Sequence, residues 1–75
     1  MTRMTLNEFR SSPKTLFLIG DVVIDGSDMI DHHPGGNRCL LRKNKTDITT
    51  DYKFHSWKTR RWIKSKQIAR LYIPN

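Results

Sequence analysis

The sequence predicts a small α+β domain, and three local patterns support this prediction. Residues 5–10 begin with the capping-box sequence T-L-N-E, whose threonine hydroxyl and glutamate carboxylate satisfy the first backbone donors of a helix. Residues 15–19 and 22–25 are β-branched, aromatic and apolar, and Gly20-Asp21 between them predicts a β-hairpin turn. Residues 68–73 alternate in character and predict a terminal strand.

Between the hairpin and the terminal strand, the chain predicts short helices separated by loops. Ser27 and Ser56 each precede a helical pattern and are predicted N-caps, because a serine hydroxyl accepts a hydrogen bond from the first helical turn. Breaker residues at 32–36 and polar residues at 44–47 predict loops. The predicted helical segments are 27–31, 37–43, 49–54 and 57–63.

Length and composition predict one domain over residues 1–75 whose own apolar core is too small to stabilise it fully. A chain this short buries only about 60% of the surface that its unfolded form exposes. Its apolar content is 36% and its mean hydropathy is −0.65, so a cofactor, metal or partner is expected to supply part of the core. The single cysteine, Cys39, excludes an internal disulfide and favours a reducing, cytoplasmic setting.

The longest uninterrupted apolar run covers residues 16–19, which is far too short for a transmembrane helix. The polar N-terminus does not have the pattern of a signal peptide. We therefore expect a soluble monomer without a transmembrane anchor. The starting methionine and the absence of a linker favour a free-standing domain over a piece of a larger oxidoreductase.

Positive charge is concentrated in the second half of the chain. Residues 1–37 carry three Lys/Arg and five Asp/Glu, whereas residues 38–75 carry eleven and two, a formal charge of +9. A half this basic favours an anionic neighbour, which could be nucleic acid, an acidic protein face, lipid headgroups or a charged ligand.

Two histidines form the clearest candidate site. His33 precedes Pro34, which pushes it away from helical geometry, and Gly35-Gly36 allows the backbone to pass close to something bulky. His55 follows 22 residues later among aromatic neighbours. Two imidazoles on facing short helices, with apolar residues between them, suit a flat metal cofactor held from both sides.

The sequences around these two histidines resemble the motifs of a known family. The H-P-G-G sequence at 33–36 resembles the signature of cytochrome b5-type haem domains, and His55-Ser56 resembles the second ligand of that family with its following serine. The likeness continues through the capped helix, the hairpin, Asp47-Ile48-Thr49 and the closing strand. It therefore runs from about residue 5 to residue 72, nearly the whole chain.

The resemblance implies a cytochrome b5-like small sheet with short helices forming a haem pocket. It makes His33 and His55 the axial ligands of the iron in haem b. Ser56 occupies the position that often binds a haem propionate, and Cys39 is expected to be a small buried residue. The residues implied to contact the cofactor are Met29, Cys39, Leu40, Tyr52, Phe54, Ser56 and Trp62, with Lys58, Arg60 and Arg61 near its carboxylates and Ile24, Leu41 and Ile68 in the supporting core.

Ligation by two histidines leaves no open coordination position, so the resemblance implies a one-electron carrier and not an enzyme. No carboxylate pair, activated nucleophile or phosphate loop is recognisable in the sequence. The partners would be electron donor and acceptor proteins. Members of this family are usually acidic around the exposed haem edge, whereas this chain is basic there, so the docking face of a partner is expected to be acidic.

Two other functions remain as alternatives. A zinc site could use His32, His33, Cys39 and His55, although this spacing matches no paired-ligand zinc module. A nucleic-acid-binding domain without haem could use residues 53–70, with stacking from Trp57, Trp62 and Tyr72. The second alternative leaves the H-P-G-G loop unexplained, so nucleic acid is the less favoured partner.

Overall fold

The computed structural model describes residues 2–32 and 38–72, and these form an α+β fold as predicted. Its elements, in chain order, are β1 (Thr2–Thr5), α1 (Leu6–Ser11), β2 (Leu16–Ile19), β3 (Val22–Asp25), α2 (Ser27–His32), α3 (Arg38–Arg42), β4 (Thr46–Asp47), α4 (Thr49–Lys53), α5 (Trp57–Lys64) and β5 (Gln67–Tyr72). The H-P-G-G segment lies outside the described residues. Within the described part, no helix has the length and apolar character needed to cross a bilayer.

The strands form one mixed sheet in the order β1-β5-β3-β2-β4. Its centre is the predicted hairpin, in which β2 and β3 pair antiparallel with Phe17 opposite Ile24. Gly20 in the turn has a φ of +62°, a left-handed conformation that glycine adopts without steric cost. The predicted terminal strand, β5, pairs antiparallel with β3 and lies between β1 and β3 in the sheet.

The sheet has two edge strands that the sequence did not predict. β1 pairs parallel with β5, placing Thr2 opposite Ala69. β4 lies in a segment predicted as a loop and pairs parallel with β2, placing Thr46 opposite Phe17. Neither strand has an apolar alternation of its own, and both are held by long-range backbone pairing.

The first helix forms as its capping box predicts. The Glu8 backbone N–H donates to Thr5 Oγ1 at 3.1 Å, and the Thr5 backbone N–H donates to Glu8 Oε1 at 3.0 Å. Hydrogen bonding from the backbone and side chain of Thr5 lowers the pKa of Glu8 below its ordinary value. The helix buries Phe9 against the sheet, so α1 covers one sheet face.

Alternation along the hairpin divides the core into two clusters. Leu16 and Val23 point to the face covered by α1, while Phe17 and Ile24 point to the opposite face. We call these the α1 cluster, which comprises Phe9, Leu16, Val23 and Ala69, and the α5 cluster, which comprises Phe17, Ile24, Met29, Ile48 and Ile63.

The predicted core set is only partly correct. Ile24 is fully buried in the α5 cluster, and Ile68 is partly buried against the α1 cluster. Leu41 is half exposed, with 50% of its surface open to solvent, so its prediction as a core residue is wrong. Its helix, α3, is only about one and a half turns long. Leu40, and not Leu41, is the residue of α3 that packs against the α5 cluster.

The second helix, α2, begins directly after Gly26, whose backbone packs closely against the Phe17 ring. The Gly26 carbonyl accepts hydrogen bonds from the backbone N–H groups of Met29 (3.1 Å) and Ile30 (3.2 Å). Ser27 was predicted as an N-cap, but it is the first residue of the helix and donates both its N–H and its hydroxyl to Asp25 Oδ1. Burial tends to raise the pKa of Asp25, but the bonds from Ser27, together with nearby lysines, leave that pKa below its ordinary value.

Candidate functional site

One cavity of about 460 Å³ lies on the α5 side of the sheet. Its inner end is formed by Met29, Ile48 and Ile63, which are all buried members of the α5 cluster. Side chains from α2, α3, α4 and α5 surround it. The lining residues are Met29, Cys39, Leu40, Lys43, Ile48, Asp51, Tyr52, His55, Thr59, Trp62 and Ile63.

This lining includes most of the described residues in the predicted site. Met29 comes from α2, Tyr52 from α4 and Trp62 from α5. Cys39 and Leu40 come from α3, and His55 lies in the segment between α4 and α5. His33, the other predicted iron ligand, lies outside the described residues. The structure thus gathers six side chains that are spread over 34 positions of sequence.

Two predicted cofactor contacts do not line the cavity. Phe54 is 86% exposed and stands out from the surface next to His55. Ser56 acts as the N-cap of α5: its hydroxyl accepts from the Thr59 N–H at 3.3 Å and donates to Thr59 Oγ1 at 3.1 Å. Its hydroxyl proton is therefore already used within the helix end.

Cys39 differs from its expected environment. It lines the cavity, but it is a free and exposed thiol, so the prediction of a buried cysteine is wrong. The position follows from α3, which buries none of its residues and contributes to the rim.

His55 is placed by the ends of two helices. Its backbone N–H donates to the Tyr52 carbonyl at 3.2 Å, which continues the last turn of α4. The next residue, Ser56, starts α5. The imidazole is exposed and borders the apolar interior, so it can reach a group that enters the cavity.

The helix that leads to His55 is fixed to the hairpin by two hydrogen bonds, and a third holds its own first turn. The Ile48 N–H donates to the Leu18 carbonyl at 2.7 Å, and the Gly20 N–H donates to Thr49 Oγ1 at 2.8 Å. Asp47 Oδ1 accepts from the Thr49 N–H at 2.8 Å, which holds the first turn of α4. The sheet therefore sets the position of His55 through a short, bonded path.

The polar rim of the cavity was not predicted from the sequence. Lys43, the residue after α3, forms an ion pair with Asp51 of α4, and Thr59 of α5 also lines the cavity. The hydrogen bond that Lys43 donates to the Asp51 carboxylate raises the pKa of Lys43 above its ordinary value. Helical spacing could have found two of these residues, since Asp51 precedes His55 by four positions and Thr59 precedes Ile63 by four.

A family model matches residues 2–72 of this chain, which is nearly its whole length. Its description is the cytochrome b5-like haem/steroid binding domain. The chain belongs to this family. No curated protein matches the sequence. The fold and family predictions made from the sequence are therefore confirmed.

The cavity of this cytochrome b5-like domain fits the haem side of the family description. Its volume lies within the ordinary range of cofactor and ligand pockets, about 300–1,000 Å³. Its inner surface is mainly aliphatic and aromatic, with an imidazole at the rim, and histidine is a common axial ligand of haem iron. The residues that are present therefore suit a flat, apolar group that carries a metal.

The structure does not test the zinc alternative, because His33 and the side chain of His32 lie outside the described part of this cytochrome b5-like domain. Among the described side chains, those of residues 2–30 and 38–72, no three His, Cys, Asp or Glu groups lie close enough together to hold a metal ion. Structural zinc sites use four protein ligands and catalytic zinc sites use three.

Proposed function

We propose that this domain binds haem b, with His55 and His33 as the two axial ligands of the iron. The observation that carries the proposal is the place of His55, at the rim of an apolar cavity in a domain of a haem/steroid-binding family. The H-P-G-G sequence at 33–36 supports His33 as the second ligand by its resemblance to the family signature.

Different residues of the chain would exclude water from the cavity, ligate the iron and contact the carboxylates of the cofactor. Met29, Ile48 and Ile63 exclude water from the inner end of the cavity, and Leu40 and Trp62 extend this apolar wall toward the rim. Neutral imidazoles serve as ligands through a ring nitrogen. Lys58 of α5 is an exposed cation on the helix that borders the cavity, and it suits a contact with a carboxylate group of the cofactor.

We further infer that the domain is an electron carrier and not an enzyme. Haem bound in this way supplies a reversible one-electron change at iron, and two histidine ligands leave no position for a substrate. The exposed thiol of Cys39 favours a reducing, cytoplasmic setting. The domain would act as a monomer that meets its redox partners transiently.

The first test is an optical titration of the purified domain with haemin, followed by reduction with dithionite. We expect a one-to-one endpoint and a Soret band that sharpens on reduction, with separate α and β bands unchanged by carbon monoxide. Such a spectrum is the signature of low-spin iron with both axial positions filled. A parallel titration with a fluorescent sterol tests the other half of the family description. Sterol uptake without haemin uptake would overturn the proposal.

The second prediction concerns the electron-transfer partner. Several exposed cations surround the cavity, including Arg38 and Arg42 on α3 and Lys53 at the end of α4. We expect them to dock on an acidic protein face, so the bimolecular rate should fall steeply as ionic strength rises. Stopped-flow reduction of the haem-loaded domain by an acidic and a basic redox protein would measure this. Equal rates at low and high salt would contradict it.

A further inference from the structure

Two large aromatic side chains stand in solvent on the most basic part of the molecule. Phe54 and Trp57 lie on either side of His55-Ser56 and are 86% and 61% exposed. Neither belongs to a buried cluster or lines the cavity. Neither the cofactor site nor the core therefore explains why these side chains are apolar and so large.

Helix α5 separates its cavity side from this exposed side. Thr59, Trp62 and Ile63 line the cavity and define the inner face of the helix. The opposite face, by the 3.6-residue period, carries Trp57, Arg61 and Lys64, and all three are exposed. We call these three residues, together with the exposed Phe54 and Lys58 that lie nearby in the sequence, the aromatic–cationic face.

The aromatic–cationic face has an excess of free positive charge. The ion pairs of the described residues join Lys14, Lys43, Lys66 and Arg70 to aspartates. In contrast, Lys58, Arg61 and Lys64 form no ion pair with any described carboxylate, and α5 itself contains no acidic residue. The occupant of this face should therefore be anionic.

We propose that the aromatic–cationic face binds the surface of an anionic lipid bilayer. Tryptophan and phenylalanine beside lysine and arginine are the composition of interfacial membrane-binding surfaces, because the rings enter the boundary of the acyl chains while the cations bind headgroups. Phe54 and Trp57 are exposed enough to enter that boundary without unfolding the domain. Charge complementarity supplies the long-range attraction.

The geometry favours a bilayer over nucleic acid. The Arg61 guanidinium lies 4.9 Å from the centroid of the Trp57 ring, so a cation already covers one face of that ring. Base stacking uses the open face of an aromatic side chain in a groove that follows the phosphate backbone. Here the two aromatic side chains project outward, and the cavity lies on the other side of the helix.

The test is flotation of the full chain with lipid vesicles. Phosphatidylcholine vesicles with about 30 mol% phosphatidylserine provide the anionic surface, and pure phosphatidylcholine vesicles provide the neutral one. We expect binding only to the anionic vesicles, and loss of that binding between about 0.1 M and 1 M salt. The Phe54→Ser/Trp57→Ser variant should bind at least tenfold more weakly, and Arg61→Gln about fivefold more weakly.

Tyr72→Ser is the matched control. Tyr72 is also an exposed aromatic residue, 41% open, with Arg3 at 5.3 Å from its ring centroid, but it lies on β5 of the sheet. This variant should bind vesicles as the unmodified chain does, and circular dichroism should show that all variants are folded. Unchanged vesicle binding in the Phe54→Ser/Trp57→Ser variant would overturn the proposal. So would tight binding of single-stranded oligonucleotides, without vesicle binding, that the same variant abolishes.

Discussion

Replacement of His55 by alanine is expected to abolish the low-spin spectrum of the haem-loaded domain. The imidazole borders the cavity and is the only described histidine side chain there, so its loss opens one axial position. Haemin affinity should fall by more than the roughly 10–100-fold typical of losing a residue that only supports a ligand. Carbon monoxide should then alter the reduced spectrum, and added imidazole should restore the original bands.

The other two histidines give this experiment its controls. His33→Ala should produce the same change in spectrum, since it is the proposed ligand on the opposite side. His32→Ala should leave the spectrum unchanged if the register of the H-P-G-G segment follows the family resemblance. A normal spectrum in His55→Ala, or a change confined to His32→Ala, would contradict the proposed ligand pair.

Replacement of Gly26 by alanine is expected to destabilise the fold severely. A Cβ atom at this position would lie 2.3 Å from Phe17 Cε2, and the Phe17 ring is fully buried. The ring or the start of α2 must move, which costs about 3 kcal/mol by the usual effect of overpacking. In a domain of this size, the midpoint of thermal unfolding should fall by roughly 10–20 °C.

Gly20→Ala is the matched control for this effect. Gly20 has a φ of +62° but open space around it, so its substitution carries only the backbone cost of about 1–2 kcal/mol. Urea denaturation of both variants measures the difference. Adding Phe17→Leu should recover part of the stability lost in Gly26→Ala, because the smaller side chain vacates the contact. A smaller loss at Gly26 than at Gly20 would show that the packing argument is wrong.

The sequence predicted elements that are determined by local contacts. The capping box of α1 and the Gly20-Asp21 turn each involve residues within a few positions of each other, and both form as expected. β1 and β4 could not be predicted in the same way. Thr2–Thr5 and Thr46–Asp47 become strands only because β5 and β2 bring backbone partners from far along the chain.

Site residues could be predicted from the sequence where the family resemblance assigns a role to a position. The resemblance assigns His55 and Tyr52 to the site by their sequence positions, and both border the cavity. The ion pair between Lys43 and Asp51 depends on how α3 meets α4, which the sequence does not state. Cys39 was expected in the interior, but α3 is too short to bury one of its faces and leaves this thiol at the rim.

The sheet divides the core into two clusters that can change independently during evolution. The α1 cluster lies on one face of the hairpin and the α5 cluster on the other, and of these two clusters only the α5 cluster contributes residues to the cavity. Substitutions around Phe9 and Ala69 can therefore change the stability of the domain without reshaping the cavity. Lineages could adjust thermal tolerance on one sheet face while selection on ligand binding preserves the other.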